Sequence, residues 1–231
     1  MRRELTSNPS SALEQLLENS RVWRGKTQVV TGHANGLASG YAELDRHLPG
    51  GGWPRHALTE ILTGQHGVGE LQLLMPALAH LSAEKPFAAD PDTGSGSSVE
   101  EPGWIAWVAP PFQPYAPALT EWGINLSRVL IVRPKDDTET LWAAEQALSS
   151  GTCAAVLLWP EKLHDQDSRR LQLAAEKGRS WAVAFRPRTA RHEPSAAALR
   201  IEMRADAEGT HLDIFKSRGA RPVTLHSIFS G

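Results

Sequence analysis

Four short runs in this chain are apolar from end to end: Trp104–Ala109, Val129–Val132, Ala154–Trp159 and Trp181–Phe185. A strand with one wet face alternates polar and apolar residues, whereas a run with no polar position has both faces covered. Segments with helical spacing lie between these runs, at Tyr115–Trp122, Glu139–Leu148 and Arg169–Glu176. Buried strands alternating with short helices predict an α/β fold: a mostly parallel sheet flanked by helices. Asp137 or Thr138 can cap the second helix, and Asp167 or Ser168 can open the third. Gly151 and Gly178 follow their ends. The tail departs from this pattern. Ala198–Ala205 and His211–Lys216 alternate in polarity around Glu208-Gly209, which predicts an antiparallel C-terminal hairpin at the sheet edge.

At 231 residues the chain suits one ordinary domain with an extension. The expected organisation is an N-terminal helical arm and linker over 1–36 and a core domain over 37–231. A Pro-, Gly- and Ser-rich stretch at 85–103 is read as a mobile loop within that core. Leu13, Leu16 and Leu17 give the arm an apolar face at helical spacing. The net charge of −2 excludes a generally basic nucleic-acid binder, so any such site is a local patch. No apolar run approaches the ~18 residues of a membrane span. The N-terminus has no apolar signal core, and the single Cys153 excludes an intrachain disulfide, so a cytoplasmic protein is expected. Cys153 opens an apolar strand and reads as buried. Nine histidines without ligand spacing predict no metal site. Most of the eight tryptophans read as core or interface anchors.

One loop carries the chemical content. A phosphate-binding loop reads G-x-x-x-x-G-K-[ST] between a strand and a helix. Gly64 and Gly69 have that separation, with Gly67 between them. The strand Leu58–Leu62 precedes them and a helix predicted over Glu70–Leu81 follows. Yet Glu70 stands in the lysine position and Leu71 in the hydroxyl position. The lysine neutralises phosphate charge and the hydroxyl holds Mg²⁺; a glutamate repels a triphosphate. A carboxylate at a helix N-terminus does find backbone N–H groups, so Glu70 is expected to stand in partly for the lost phosphate. His66, within the loop, reads as an exposed histidine. Asp45 and Glu60 read as cap or core salt-bridge residues.

Taken in order, Gly40-Tyr-Ala-Glu-Leu-Asp45, Gly50-Gly-Gly-Trp-Pro54, Leu58-Thr-Glu-Ile and Gly64-x4-Gly69 resemble the opening of a RecA-type ATPase core. Ile214-Phe-Lys216-Ser-Arg218-Gly-Ala-Arg-Pro222 resembles that fold's late strand motif. Over roughly residues 12–228 the chain is similar to the ImuA family, RecA-like accessory proteins of bacterial translesion synthesis. The likeness rests on Gly69-Glu-Leu-Gln-Leu-Leu-Met-Pro-Ala-Leu-Ala, Trp104-Ile-Ala-Trp-Val-Ala-Pro-Pro, Leu141-Trp-Ala-Ala-Glu-Gln-Ala-Leu-Ser-Ser-Gly and Phe185-Arg-Pro. The resemblance implies a RecA-like core. Where that pattern has a catalytic glutamate, this chain has Ala109-Pro110-Pro111-Phe112. Where it has a metal-binding aspartate, this chain has Leu158-Trp159-Pro160. No ATP hydrolysis, no cofactor and no catalytic residue are therefore expected.

The same resemblance implies binding to RecA and to ImuB, and through them support of a DnaE-type error-prone polymerase in SOS mutagenesis. It assigns Leu13, Leu16 and Leu17 to docking, and Lys216, Arg218 and Arg221 to partner contact. It further implies a weak single-stranded DNA contact at Arg186, Arg188 and Arg191, in the loop after a strand. A cell-division inhibitor of the SulA type, binding FtsZ, is the alternative; an active ATPase with an atypical loop is a third class, opposed by Glu70.

Overall fold

The computed structural model describes residues 36–83, 103–207 and 209–229. The expected N-terminal arm, with Leu13, Leu16 and Leu17, and the expected loop 85–103 up to residue 102 lie outside the described residues.

A two-residue strand β1 (Gly36–Leu37) pairs antiparallel with β2 (Trp53–Pro54), around helix α1 (Ala42–His47). Strand β3 (Leu58–Thr63) leads into the glycine loop and helix α2 (Met75–Ser82). Next come β4 (Trp104–Val108), α3 (Ala116–Glu121), β5 (Val129–Val132), α4 (Asp137–Ser149), β6 (Cys153–Leu158), α5 (Asp165–Gly178) and β7 (Trp181–Pro187). A 3₁₀ turn over Arg188–His192 precedes β8 (Leu199–Asp206), β9 (Gly209–Ser217) and β10 (Val223–Leu225). The eight-stranded sheet has the order β10-β9-β8-β3-β7-β6-β4-β5. It is parallel from β8 through β5, and β8, β9 and β10 run antiparallel in succession. The predicted architecture is therefore the observed one, with β1, β2 and β10 as additions too short to carry a periodic signal.

The period-2 alternation of a strand explains how one sheet serves two different faces. Ile105, Trp107, Leu157, Trp181, Val183 and Phe185 point into one core; Ala106, Val108, Val156, Leu158, Ala182 and Ala184 point into the other. The first face is bulky. Trp159 stacks on Phe185 with centroids 4.6 Å apart, Trp107 lies 5.6 Å from Trp159, and Trp53 stacks on Trp181 at 5.4 Å. The second face is alanine-rich, which lets α4 and α5 approach closely. Gly178 is part of that approach: a Cβ there would lie 1.8 Å from the Leu148 carbonyl oxygen. So Gly178 stays helical, and the left-handed cap falls on Arg179 at φ 52°, although glycine is the usual residue for that conformation.

Three helix starts differ from the sequence expectation: α5 begins at Asp165 after His164, ahead of Asp167 and Ser168, and the other two differ for local reasons. Helix α4 is capped by Asp136, which accepts from Glu139 N at 2.8 Å, while Glu139 reaches back to Lys135 N at 2.9 Å. That reciprocal pair frees Asp137 for another role, described below. Helix α2 begins at Met75 rather than Glu70, because Glu70 turns back on its own loop and residues 70–74 form irregular turns.

Candidate functional site

The carboxyl ends of β3, β4, β6 and β7 open onto a cleft of about 560 Å³, lined by Gly64, His66, Ala109, Asp136, Trp159 and Phe185 among others. Open parallel sheets bind ligands at this end of their strands. The glycine loop forms one wall. Gly67 and Gly69 take φ values of +84° and +97°, conformations that disfavour any residue with a Cβ. Gly64 does not need that freedom.

Glu70 closes the loop from within. Its side chain is buried at 4% exposure. One carboxylate oxygen accepts from Gly67 N at 2.8 Å and the other from Val68 N at 2.8 Å. Successive backbone N–H groups in such a turn make the concave anion site that holds phosphate in nucleotide-binding proteins. Here the anion is the protein's own. The sequence expectation places the Glu70 carboxylate at a helix N-terminus; its place is corrected. The acceptor sits on loop amides, not on the first turn of a regular helix. Leu71, in the hydroxyl position, is partly buried and lines an apolar groove with Met75, Tyr115 and Trp122.

The opposite wall repeats the arrangement. Both Asp137 carboxylate oxygens accept backbone N–H groups, from Glu161 at 3.0 Å and Lys162 at 3.1 Å. The strand end at Trp159-Pro160 offers an aromatic stack where a metal-binding carboxylate would be needed. Among the described residues no group of three or more His, Cys, Asp or Glu side chains is placed to hold a metal ion. His66 is exposed in the loop, and Cys153 is buried, its thiol pushed up by burial.

Beside the loop lies a buried charge network. Glu60, fully buried, accepts from Arg186 at 3.2 Å, Arg200 at 2.8 Å and Ser195 Oγ at 2.5 Å. Arg186 also reaches the Leu163 carbonyl and Glu193, and Arg200 donates to the carbonyls of Ala190, Arg191 and Glu193. Two buried guanidiniums thus clamp the segment 188–195 to the sheet. Glu60 does serve as a core salt-bridge residue, and Asp45, inside α1, accepts from Ser39 N at 3.0 Å.

The arginines expected to touch DNA are drawn into these pairs. Arg186 is 5% exposed, so it is removed from any surface. Arg188 and Arg191 each bond Glu202 at 2.6 Å, and Arg191 also reaches Asp213 at 2.7 Å. Arg191 is thus paired with two carboxylates, whereas Arg188 shares Glu202 with Arg191 and Arg204 and keeps 45% of its side chain exposed. Lys216 is also tied down, donating to the Ser195 carbonyl at 2.6 Å. Burial pulls its ammonium below the usual range, and Arg200 adds to this by repulsion. Arg218 stays exposed with a distant pair to Glu176 at 3.8 Å, and Arg221 is exposed.

Glu202 supplies a pH signature. Burial pushes its carboxyl up, but hydrogen bonds from Arg204, Arg191 and Arg188 outweigh burial and hold it at about 2. A depressed carboxyl contributes stability that is complete above its ordinary pKa, here 4.5, and is lost as pH falls toward 2. That displacement corresponds to about 3 kcal/mol at pH 7. In urea unfolding series, Glu202→Gln is expected to lose about that much at neutral pH and to flatten the acid limb between pH 5 and 2. An unchanged acid limb would show that the three arginines do not hold this carboxylate.

Fold and loop together define a class: an α/β protein with a mostly parallel sheet, whose glycine loop after β3 has two backbone amides taken by a carboxylate of the same loop. Residues 98–182 match the family model described as "Cell division inhibitor SulA". The cell division inhibitor SulA of Photorhabdus laumondii is 32% identical over 106 residues, covering 46% of this chain and 60% of that one. The protein ImuA of Caulobacter vibrioides is 31% identical over 152 residues, covering 66% of this chain and 57% of that one. A crystal structure of SulA from Pseudomonas aeruginosa aligns with a TM-score of 0.42 and 26% identity, over 56% of this chain and 97% of that one. The matches span less than two thirds of the curated relatives' own lengths. The chain is similar to both SulA and ImuA.

Proposed function

We propose that this protein is a non-catalytic, cytoplasmic, RecA-like adaptor of SOS mutagenesis that binds RecA and an ImuB-type partner in support of error-prone translesion synthesis. One observation carries the reading: the carboxylate of Glu70 sits on the two loop amides that a nucleotide phosphate would need. A triphosphate would have to expel an anion held by two short hydrogen bonds, with no loop lysine to offset the exchange. The longer of the two matches, to ImuA, supports the choice of pathway. Arg218 and Arg221 offer the exposed cations for partner contact.

The family-model match over 98–182 supports a second reading, a SulA-type division inhibitor that binds FtsZ. A pull-down with RecA, ImuB and FtsZ as separate baits separates the two. Retention by RecA or ImuB, weakened several-fold by Arg218→Glu with Arg221→Glu, is expected. Retention by FtsZ alone would select the second reading, and retention by none of the three would remove both.

A further inference from the structure

At the other end of the sheet, where β4, β6 and β7 begin, lies a second cleft of about 640 Å³. Its walls carry Arg55, Arg128, Lys177 and Arg179, together with the hydroxyls of Ser149, Ser150 and Thr152. Among the described residues no carboxylate lines it. This is a local cluster of positive charge on a chain whose net charge is −2; among the described residues Arg55, Arg128 and Lys177 make no ion pair with a carboxylate, unlike Arg186, Arg188 and Arg191.

Lys177 and Arg179 also answer the negative end of α5. Arg55 has no such explanation, since it lies in the turn between β2 and β3. Arg128 lies 5.9 Å from the Trp104 ring centroid. Trp104, the first residue of β4, leaves 40% of its surface to solvent at the cleft wall. Cations that track a phosphate backbone beside an aromatic face that can stack a base are the two components of sequence-tolerant single-strand binding. An acidic protein segment would use the cations but has no need of the indole.

We propose that the cleft formed by Arg55, Arg128, Lys177 and Trp104 binds single-stranded nucleic acid. The site is independent of the filled loop and of the adaptor reading. It moves nucleic-acid contact from the Arg188 end of the sheet to the opposite end. The test is fluorescence anisotropy of a labelled oligo-dT with the full chain, at 50 and 200 mM NaCl. Binding that weakens with salt is expected, since each neutralised phosphate adds about 0.7 to the slope for single strands. Substituting Gln at Arg55, Arg128 and Lys177 together keeps most of each stem, and is expected to cut affinity at least tenfold and reduce the slope by about 2. Trp104→Ala is expected to cost about 5-fold or more at unchanged slope. Arg188→Gln with Arg191→Gln is expected to leave binding as it was. Absence of binding at 50 mM NaCl, or indifference to the triple substitution, would overturn the proposal. Indifference to Trp104→Ala, with poly-glutamate displacing the strand at equal charge, would overturn it in favour of an acidic protein ligand.

Discussion

Glu60→Ala is expected to destabilise the protein by about 3–5 kcal/mol, the cost of removing one partner from a buried ion pair and leaving the other charged. Two arginines depend on this carboxylate, and both are nearly fully buried. Neither can turn to water, because Arg186 is also fixed to Leu163 and Glu193, and Arg200 to three carbonyls of the segment 190–193. At about 2–4 °C per kcal/mol for a domain of this size, the thermal midpoint should fall by about 10 °C. Glu60→Gln keeps the shape without the charge and should recover only part of the loss. The segment 188–195 is held to the sheet through these groups, so its amides should exchange faster than those of β6 in the variant. A melt within 2 °C of the parent would show that the network is held by something other than Glu60.

Trp181→Ala is expected to cost a similar amount, about 3–5 kcal/mol, by loss of a large buried side chain and the cavity it leaves. Trp181 is fully buried, stacks on Trp53, and donates its indole N–H to Thr59 Oγ1 at 3.2 Å. It ties β7 to β3 and to the small β1–β2 pair in one contact set. Trp142, by contrast, leaves 61% of its surface exposed on α4. Trp142→Ala is expected to stay within about 0.5 kcal/mol. Equal effects from the two in denaturant unfolding would mean that the aromatic core is not where the stability resides.

The contrast also shows which parts of the molecule can be read from sequence. Apolar runs such as Trp181–Phe185 read as buried parallel strands because they are too short for a helix, lie between turn residues and alternate with helical segments; Val129–Val132 departs from that reading, because it forms the sheet edge and leaves Leu130 exposed. The hairpin was legible at Ala198–Ala205 because alternation has a single structural meaning there. The reading of tryptophans as anchors holds for Trp53, Trp107, Trp159 and Trp181, which are buried, whereas Trp104, Trp122 and Trp142 are substantially exposed. Long-range polar partners were not legible. Nothing local marks Glu60 and Arg200, 140 positions apart, as neighbours until β3 and β8 pair in register. The arginines at 186, 188 and 191 looked like a basic loop because their carboxylates lie on other strands. Glu70 was found because a glycine spacing set up an expectation that one residue broke. Its exact seat was missed because the carboxylate's reach to Gly67 and Val68 depends on the loop's left-handed turns.

In this reading the loop is already filled, by the Glu70 carboxylate. A crystal structure of the protein grown with Mg²⁺ and excess ATP tests it most directly. The expected density has the Glu70 carboxylate on the Gly67 and Val68 amides and no nucleotide in the loop. A triphosphate seated on those two amides, with the Glu70 side chain displaced from them, would contradict the account.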